Sequence, residues 1–166
     1  MVRPYSTEDI EAVIAVYQQA FSEPPWNETW EREDVIKDLE YAFSQNDPIS
    51  FVAMTDGDIV GFTWGYRLPS DKFSFLDGKI RNSASYMAEI AVNGKKRTRG
   101  IGSMLGLAFI LESERLGMDE VVLRTDENNT ASMALFRKLG FLPIPDENSR
   151  GSVYDPEYPS RIYLRR

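Results

Sequence analysis

Three groups of residues in this sequence have types and spacings that could do chemistry. The first is Arg97-Thr98-Arg99-Gly100-Ile101-Gly102, followed by Ser103, between an apolar run ending at Val92 and another opening at Ile101. Glycines at Gly100 and Gly102 let backbone approach a ligand closely. The first N–H groups of a following helix are unpaired and sit at the positive end of its dipole. Such a turn receives phosphate or pyrophosphate, and Arg97 and Arg99 would add charge-assisted contacts. It matches neither the Walker pattern nor the full Gly-x-Gly-x-x-Gly fingerprint, and on the hexad alone a basic loop before an ordinary helix fits as well.

The second group is Glu89, the one charge in the apolar run Tyr86 to Val92. A carboxylate there is unfavourable unless it is used or paired. The chain has no histidine and no cysteine. That excludes Ser-His and Cys-His pairs, disulfides and thiolate metal sites, and leaves any general base to a carboxylate or lysine. Glu89 is the candidate base, with a salt bridge to a neighbouring strand, for instance to Arg124, as the structural alternative. The third group surrounds Trp26, a rigid aromatic among prolines with Glu23 and Glu28 beside it. Trp26 and Glu28 could hold a cationic amine by cation–π and carboxylate contacts, or Trp26 could simply close the core beneath a turn.

The elements that must position these groups can be read in order. Val2 to Pro4 suits a short edge strand. Ser6, with Glu8 and Asp9, marks a helix start, and Ile10, Val13, Ile14, Tyr17, Ala20 and Phe21 follow at helical spacing. Two prolines end that helix before Trp26, and a second is predicted from about Trp30 to Ser44. Ile49–Thr55 and Ile59–Tyr66 flank Asp56-Gly57, a tight hairpin turn. Pro69 to Ser85 reads as a long loop, Tyr86–Val92 as a buried strand, and Ile101 onward as a helix stopped by Gly117. Val121–Leu123 is another buried strand. Asp126 to Thr130 leads into a helix over Ala131 to Leu139 that ends at Gly140, a favoured position after a helix. Pro143 to Pro159 is irregular, and Ile162–Leu164 returns as a final strand. This order predicts α/β layering around a mixed sheet.

The 166 residues suit one domain, with apolar and charged fractions of 42% and 27% near globular averages. No apolar run approaches the ~20 residues of a membrane span, and no signal-peptide pattern is present, so a cytoplasmic setting is expected. The net charge of −7 argues against nucleic acid and is compatible with a cationic substrate, although it also simply favours solubility.

Arg97-x-x-Gly100-x-Gly102 resembles the acetyl-CoA signature of the GNAT superfamily of N-acyltransferases. A second signature, Asn129 followed by Leu135-Phe136 and Leu139-Gly140-Phe141, is similar to that family's later motif, and the element order matches across nearly the whole chain. The resemblance implies a mixed, mostly antiparallel sheet of about six to seven strands flanked by four helices, in a single domain over residues 1–166. It implies an N-acetyltransferase that moves acetyl from acetyl-CoA to a primary amine in a ternary complex, with no metal. Ile90, Ala91 and Val92 would offer backbone groups to the pantetheine arm, and Arg97, Thr98, Arg99, Gly100, Ile101, Gly102 and Ser103 would receive the pyrophosphate. Asn129 would lie near the sulfur end or act only as a helix cap. The expected partner is an amine, small or on a protein or peptide, with no nucleic acid or membrane; a homodimer is left open.

The departures are Gly94 where proline is frequent, Thr98 where glycine is frequent, and Phe136 where many members carry a tyrosine that protonates the CoA thiolate. Phenylalanine has no proton to give. Tyr86, Tyr154, Tyr158 and Tyr163 are alternative donors, or the thiolate leaves unprotonated, which a thiol pKa of about 8.5 tolerates. A catalytically weak acyl-CoA-binding module is therefore the alternative function.

Overall fold

The computed structural model describes residues 1–81, 83–97 and 100–166. The elements run β1 (Val2–Pro4), α1 (Ile10–Ser22), α2 (Arg32–Ser44), β2 (Ile49–Thr55), β3 (Asp58–Arg67), β4 (Ala84–Val92), α3 (Ile101–Arg115), β5 (Glu120–Asp126), α4 (Thr130–Lys138), β6 (Leu142–Pro143), β7 (Pro145–Asp146), β8 (Gly151–Ser152) and β9 (Arg161–Arg165). Seven strands form one sheet in the order β1-β2-β3-β4-β5-β9-β6. Every neighbouring pair is antiparallel except β4 and β5. This is the mixed, mostly antiparallel sheet with four helices that the family resemblance implies.

The sheet is covered on both faces. Phe62 and Trp64 of β3 and Tyr86 of β4 pack with Val13 and Tyr17 of α1 and with Val35 and Leu39 of α2. On the opposite face Met87 and Leu123 lie under Phe109 and Ile110 of α3 and Phe136 of α4. The side of β3 facing α3 carries Gly65, where an added Cβ would stand 1.9 Å from the Tyr86 carbonyl oxygen and 2.7 Å from the Phe109 ring. Only a residue without a side chain permits that approach.

Some bounds and loops differ from the sequence reading. The second helix begins at Arg32, with Glu31 extended at its N-cap. The strand expected from Tyr86 begins at Ala84, where its pairing with Glu120 on β5 starts. The loop before it is anchored rather than free: Phe73 and Leu76 are buried, and a single 3₁₀ turn spans Ser74–Leu76. The irregular stretch after Pro143 contains the small β7–β8 hairpin. No helix among the described residues is long and apolar enough to cross a membrane.

Candidate active site

β4 pairs with β5 only over Ala84–Met87. Beyond Met87, β4 continues along β3 while β5 continues along β9, so the sheet splits. A bulge coincides with the split: Trp64 pairs with Glu89 but Gly65 pairs with Met87, leaving Ala88 as the extra residue. Strict alternation would have put Glu89 on the same face as Met87, in the apolar layer beneath α3. The bulge shifts the parity, which is how such insertions re-aim side chains. Glu89 therefore joins the face that carries Tyr86 and Ala91, and Thr63 Oγ1 donates to its carbonyl at 2.8 Å.

Two cavities meet at the split. One, of about 460 Å³, lies at the start of α3 and is lined by Ala91, Val92, Gly100, Gly102, Ser103 and Asn129 among others. The second, of about 660 Å³, lies on the α1–α2 side and is lined by Asp38, Tyr86, Glu89, Arg124, Tyr158 and Arg161 among others. Phe21, Trp26, Ile90, Ser132 and Phe136 line both. A molecule seated in one can thus touch a molecule seated in the other.

The helix-start cleft is built from backbone. Gly100 caps α3 with φ 77°, a left-handed conformation that only glycine adopts without penalty, and the Met104 N–H bonds back to its carbonyl at 3.0 Å. The N–H groups of Ile101, Gly102 and Ser103 precede the first helical bonds, and all three residues line the cleft. Arg97 lines it too; its Nη1 pairs with Glu23 Oε2 at 2.6 Å and its Nε donates to the Val92 carbonyl at 3.1 Å. Gln19 ties this loop to α1, donating to Glu23 and accepting the Gly94 N–H at 3.0 Å. Thr98 and Arg99, assigned to the same cleft from the sequence, lie outside the described residues. Asn129 caps α4 by accepting the Ser132 N–H at 3.1 Å, and it also lines the cleft.

The larger cavity is acidic at its floor. Glu89 keeps partial exposure to it and is enclosed elsewhere, and among the described residues its carboxylate has no ion pair or hydrogen bond. Arg124, the suggested salt-bridge partner, instead holds Asp155 with Nη1–Oδ2 at 2.5 Å. Tyr163 O–H donates to the same oxygen at 3.2 Å. Burial pushes the Glu89 carboxyl well above the usual range, and Asp38 pushes the same way, with Arg124 opposing. Burial also raises Asp38, against the Tyr17 hydroxyl that donates to it at 3.2 Å and the charge of Lys72. Neither Asp38 nor Tyr17 stood out in the sequence; their one signal was a helical apolar face at Tyr17 and a helical acid at Asp38.

Trp26 sits where the cavities join, with the Arg161 guanidinium 5.4 Å from its ring centroid. Glu28 faces the larger cavity, accepts the Trp30 indole N–H at 2.9 Å and lies 3.6 Å from Arg161. Phe136 is buried edge-on to Phe141 and lines both cavities. Of the four alternative tyrosines, Tyr86 and Tyr158 line the larger cavity, whereas Tyr154 donates to Glu127 at 2.8 Å and Tyr163 to Asp155. Burial pushes the Tyr86 hydroxyl up to about 12, Arg124 opposing, so it stays protonated at neutral pH.

Comparisons with known proteins bear on the family and the fold. Residues 11–141 match the model of the acetyltransferase (GNAT) family. A mycothiol acetyltransferase of Thermobispora bispora is 31% identical over 134 residues, which is 80% of this chain and 43% of the relative. One of Pseudarthrobacter chlorophenolicus is 30% identical over 84% of this chain and 42% of the relative. The chain thus spans less than half the length of these curated relatives. The PaiA N-acetyltransferase of Thermoplasma acidophilum, solved in complex with coenzyme A, superposes with a TM-score of 0.73 at 16% identity, over all of this chain and 97% of that one.

Proposed function

The chain belongs to the acetyltransferase (GNAT) family, and we propose that it transfers acetyl from acetyl-CoA directly to a primary amine within a ternary complex. The observation that carries this reading is the meeting of two cavities at the β4–β5 split, one floored by helix-start amides and the other by a carboxylate with no ion pair or hydrogen bond among the described residues. The relatives named as acetyltransferases and the structural neighbour holding coenzyme A support it.

In this reading Gly100, Ile101, Gly102 and Ser103 cradle the pyrophosphate, with Arg97 and Arg99 adding positive charge and Thr98, between them in the sequence, adding a hydroxyl. The pantetheine arm pairs with the backbone of Ile90–Val92 as an added strand would. Asn129 lies toward its sulfur end. The acceptor arrives through the larger cavity past Trp26 and Glu28. An alkyl ammonium has a pKa of about 10.4 and must lose a proton before it can attack. Glu89, whose carboxyl burial raises well above the usual carboxylate range, accepts that proton directly or through water. The amine nitrogen then bonds to the thioester carbon, the C–S bond breaks, and the nitrogen's second proton passes to the departing CoA thiolate through the Tyr86 hydroxyl or water, leaving amide and CoA thiol. Holding both reactants at the split makes the step effectively unimolecular.

The test is release of free CoA thiol from acetyl-CoA across a panel of primary amines. Thiol release that depends on an amine, with matching amide product, is expected. Tight acetyl-CoA binding without turnover on any amine would instead favour the binding module that Phe136 raised as the alternative.

A further inference from the structure

A third cavity, of about 380 Å³, opens beyond the acidic one and shares Trp30, Asp34, Asp38 and Lys72 with it. Asp38 thus lines both the cavity that holds Glu89 and the outer cavity, which Lys37 and Tyr41 complete.

The charges lining these two cavities are unequal in what they have left to offer. Arg124 is committed to Asp155, and Arg161 lies against Tyr158, 4.0 Å from its ring centroid, and beside Glu28. Lys72 lies over the Tyr41 ring at 4.6 Å. Glu28 is engaged by Trp30 and Arg161, and Asp34 is an exposed residue 3.8 Å from Lys37. Glu89 on β4 and Asp38 on α2 line the same cavity and, among the described residues, neither is in an ion pair; the neutral Tyr17 hydroxyl donates to Asp38, and the Lys72 charge acts on it without contact. Two half-buried carboxylates lining one cavity favour a guest that brings two cations.

We propose that Asp38 is a specificity-determining residue, and that the acceptor carries a second ammonium a few bonds from the amine that is acetylated. Asp38 holds the second cation while Glu89 takes the proton from the first. This rests on the acetyl-transfer reading above and adds the substrate class. A free aliphatic diamine and a peptide amino terminus followed by lysine share the required chemistry.

The experiment compares acceptors of equal length: 1,4-diaminobutane against butylamine, and the dipeptide Ala-Lys against Ala-norleucine. Wild type should prefer the doubly charged member of one pair by roughly 10–100-fold in kcat/KM, the worth of a hydrogen bond to a charged group. The pair that shows the preference identifies the source. In Asp38→Asn, which keeps an oxygen for Tyr17, that preference should disappear, with the loss carried by KM. Asp38→Glu should restore it and move the optimum to a shorter diamine, an effect that a purely structural role would not produce. Titration of the same pairs into the CoA-loaded protein reads the preference without turnover. If nothing is acetylated yet the calorimetric preference appears, the transfer reading fails and the diamine site stands. Equal treatment of both members of both pairs, or an unchanged preference in Asp38→Asn, overturns the proposal.

Discussion

Replacing Glu89 by glutamine probes the base through two independent readouts. Glutamine keeps the shape of the side chain but cannot accept the amine's proton. Turnover with a good acceptor should fall by roughly 10²–10⁴, the usual worth of a positioned base. Raising the pH should recover part of the loss, because more of the amine is then neutral without help. The stability readout follows from the raised carboxyl. In the unfolded chain this group titrates near 4.3. Below that value both states are protonated, and wild type carries no ionisation penalty. As pH rises through the folded-state pKa, wild type loses stability that glutamine cannot lose, by about 1.36 kcal/mol for each pH unit by which the titration is raised. For a chain of this size that is roughly 3–5 °C in melting temperature per unit. Glu89→Gln should thus melt at or above wild type at neutral pH, with its advantage shrinking as the buffer is acidified towards about pH 4. Scanning calorimetry across pH checks this. A mutant that melts lower at neutral pH and keeps full activity per folded molecule would refute the reasoning, because it would mean that Glu89 serves a stabilising pair.

Gly100→Arg puts a side chain at φ 77°, with no heavy atom of the described residues beyond its chain neighbours within 4 Å of the new Cβ. It should fold with a penalty of about 1–2 kcal/mol yet lose CoA affinity by calorimetry; unchanged affinity would remove the phosphate cradle. Phe136→Tyr should raise turnover modestly with acetyl-CoA affinity held, whereas no gain there combined with a large loss in Tyr86→Phe would give the proton-donor role to Tyr86. Gly65→Ala should destabilise strongly, by 3 kcal/mol or about that, since the added carbon overlaps the Tyr86 carbonyl; a melting temperature near wild type would contradict the close approach at the bulge.

Some of this architecture was written locally and could be read. Asp56 and Gly57 both have positive φ, as an Asp-Gly hairpin turn requires. Gly140 follows α4 in the left-handed region, and Asn129 caps its start. Such features depend on neighbours a few residues away, so short-range spacing carries them. The features that shape the acidic cavity do not. The bulge at Ala88 depends on the close approach of Gly65 to the next strand, and no residue type in Tyr86–Val92 announces it. Read by alternation, Glu89 would face the wrong layer. Asp38 gains significance only because α2 packs across Tyr17 onto the same face as Glu89. Arg124 turns to Asp155 because the irregular segment after β8 delivers a carboxylate to β5, a pairing across 31 residues. The buried Phe73 and Leu76 likewise anchor a loop whose sequence has no period to reveal it.

Direct transfer is tested most plainly by mass spectrometry of the intact protein and of its products, using acetyl-CoA with a deuterated acetyl group. Without an acceptor amine the protein mass should stay unchanged and CoA should not accumulate. On adding the amine, labelled amide and CoA should appear in equal amounts, still with no acetylated protein. Labelled acetyl on the protein before the amine is added, chased from it by the amine, would contradict transfer within a ternary complex.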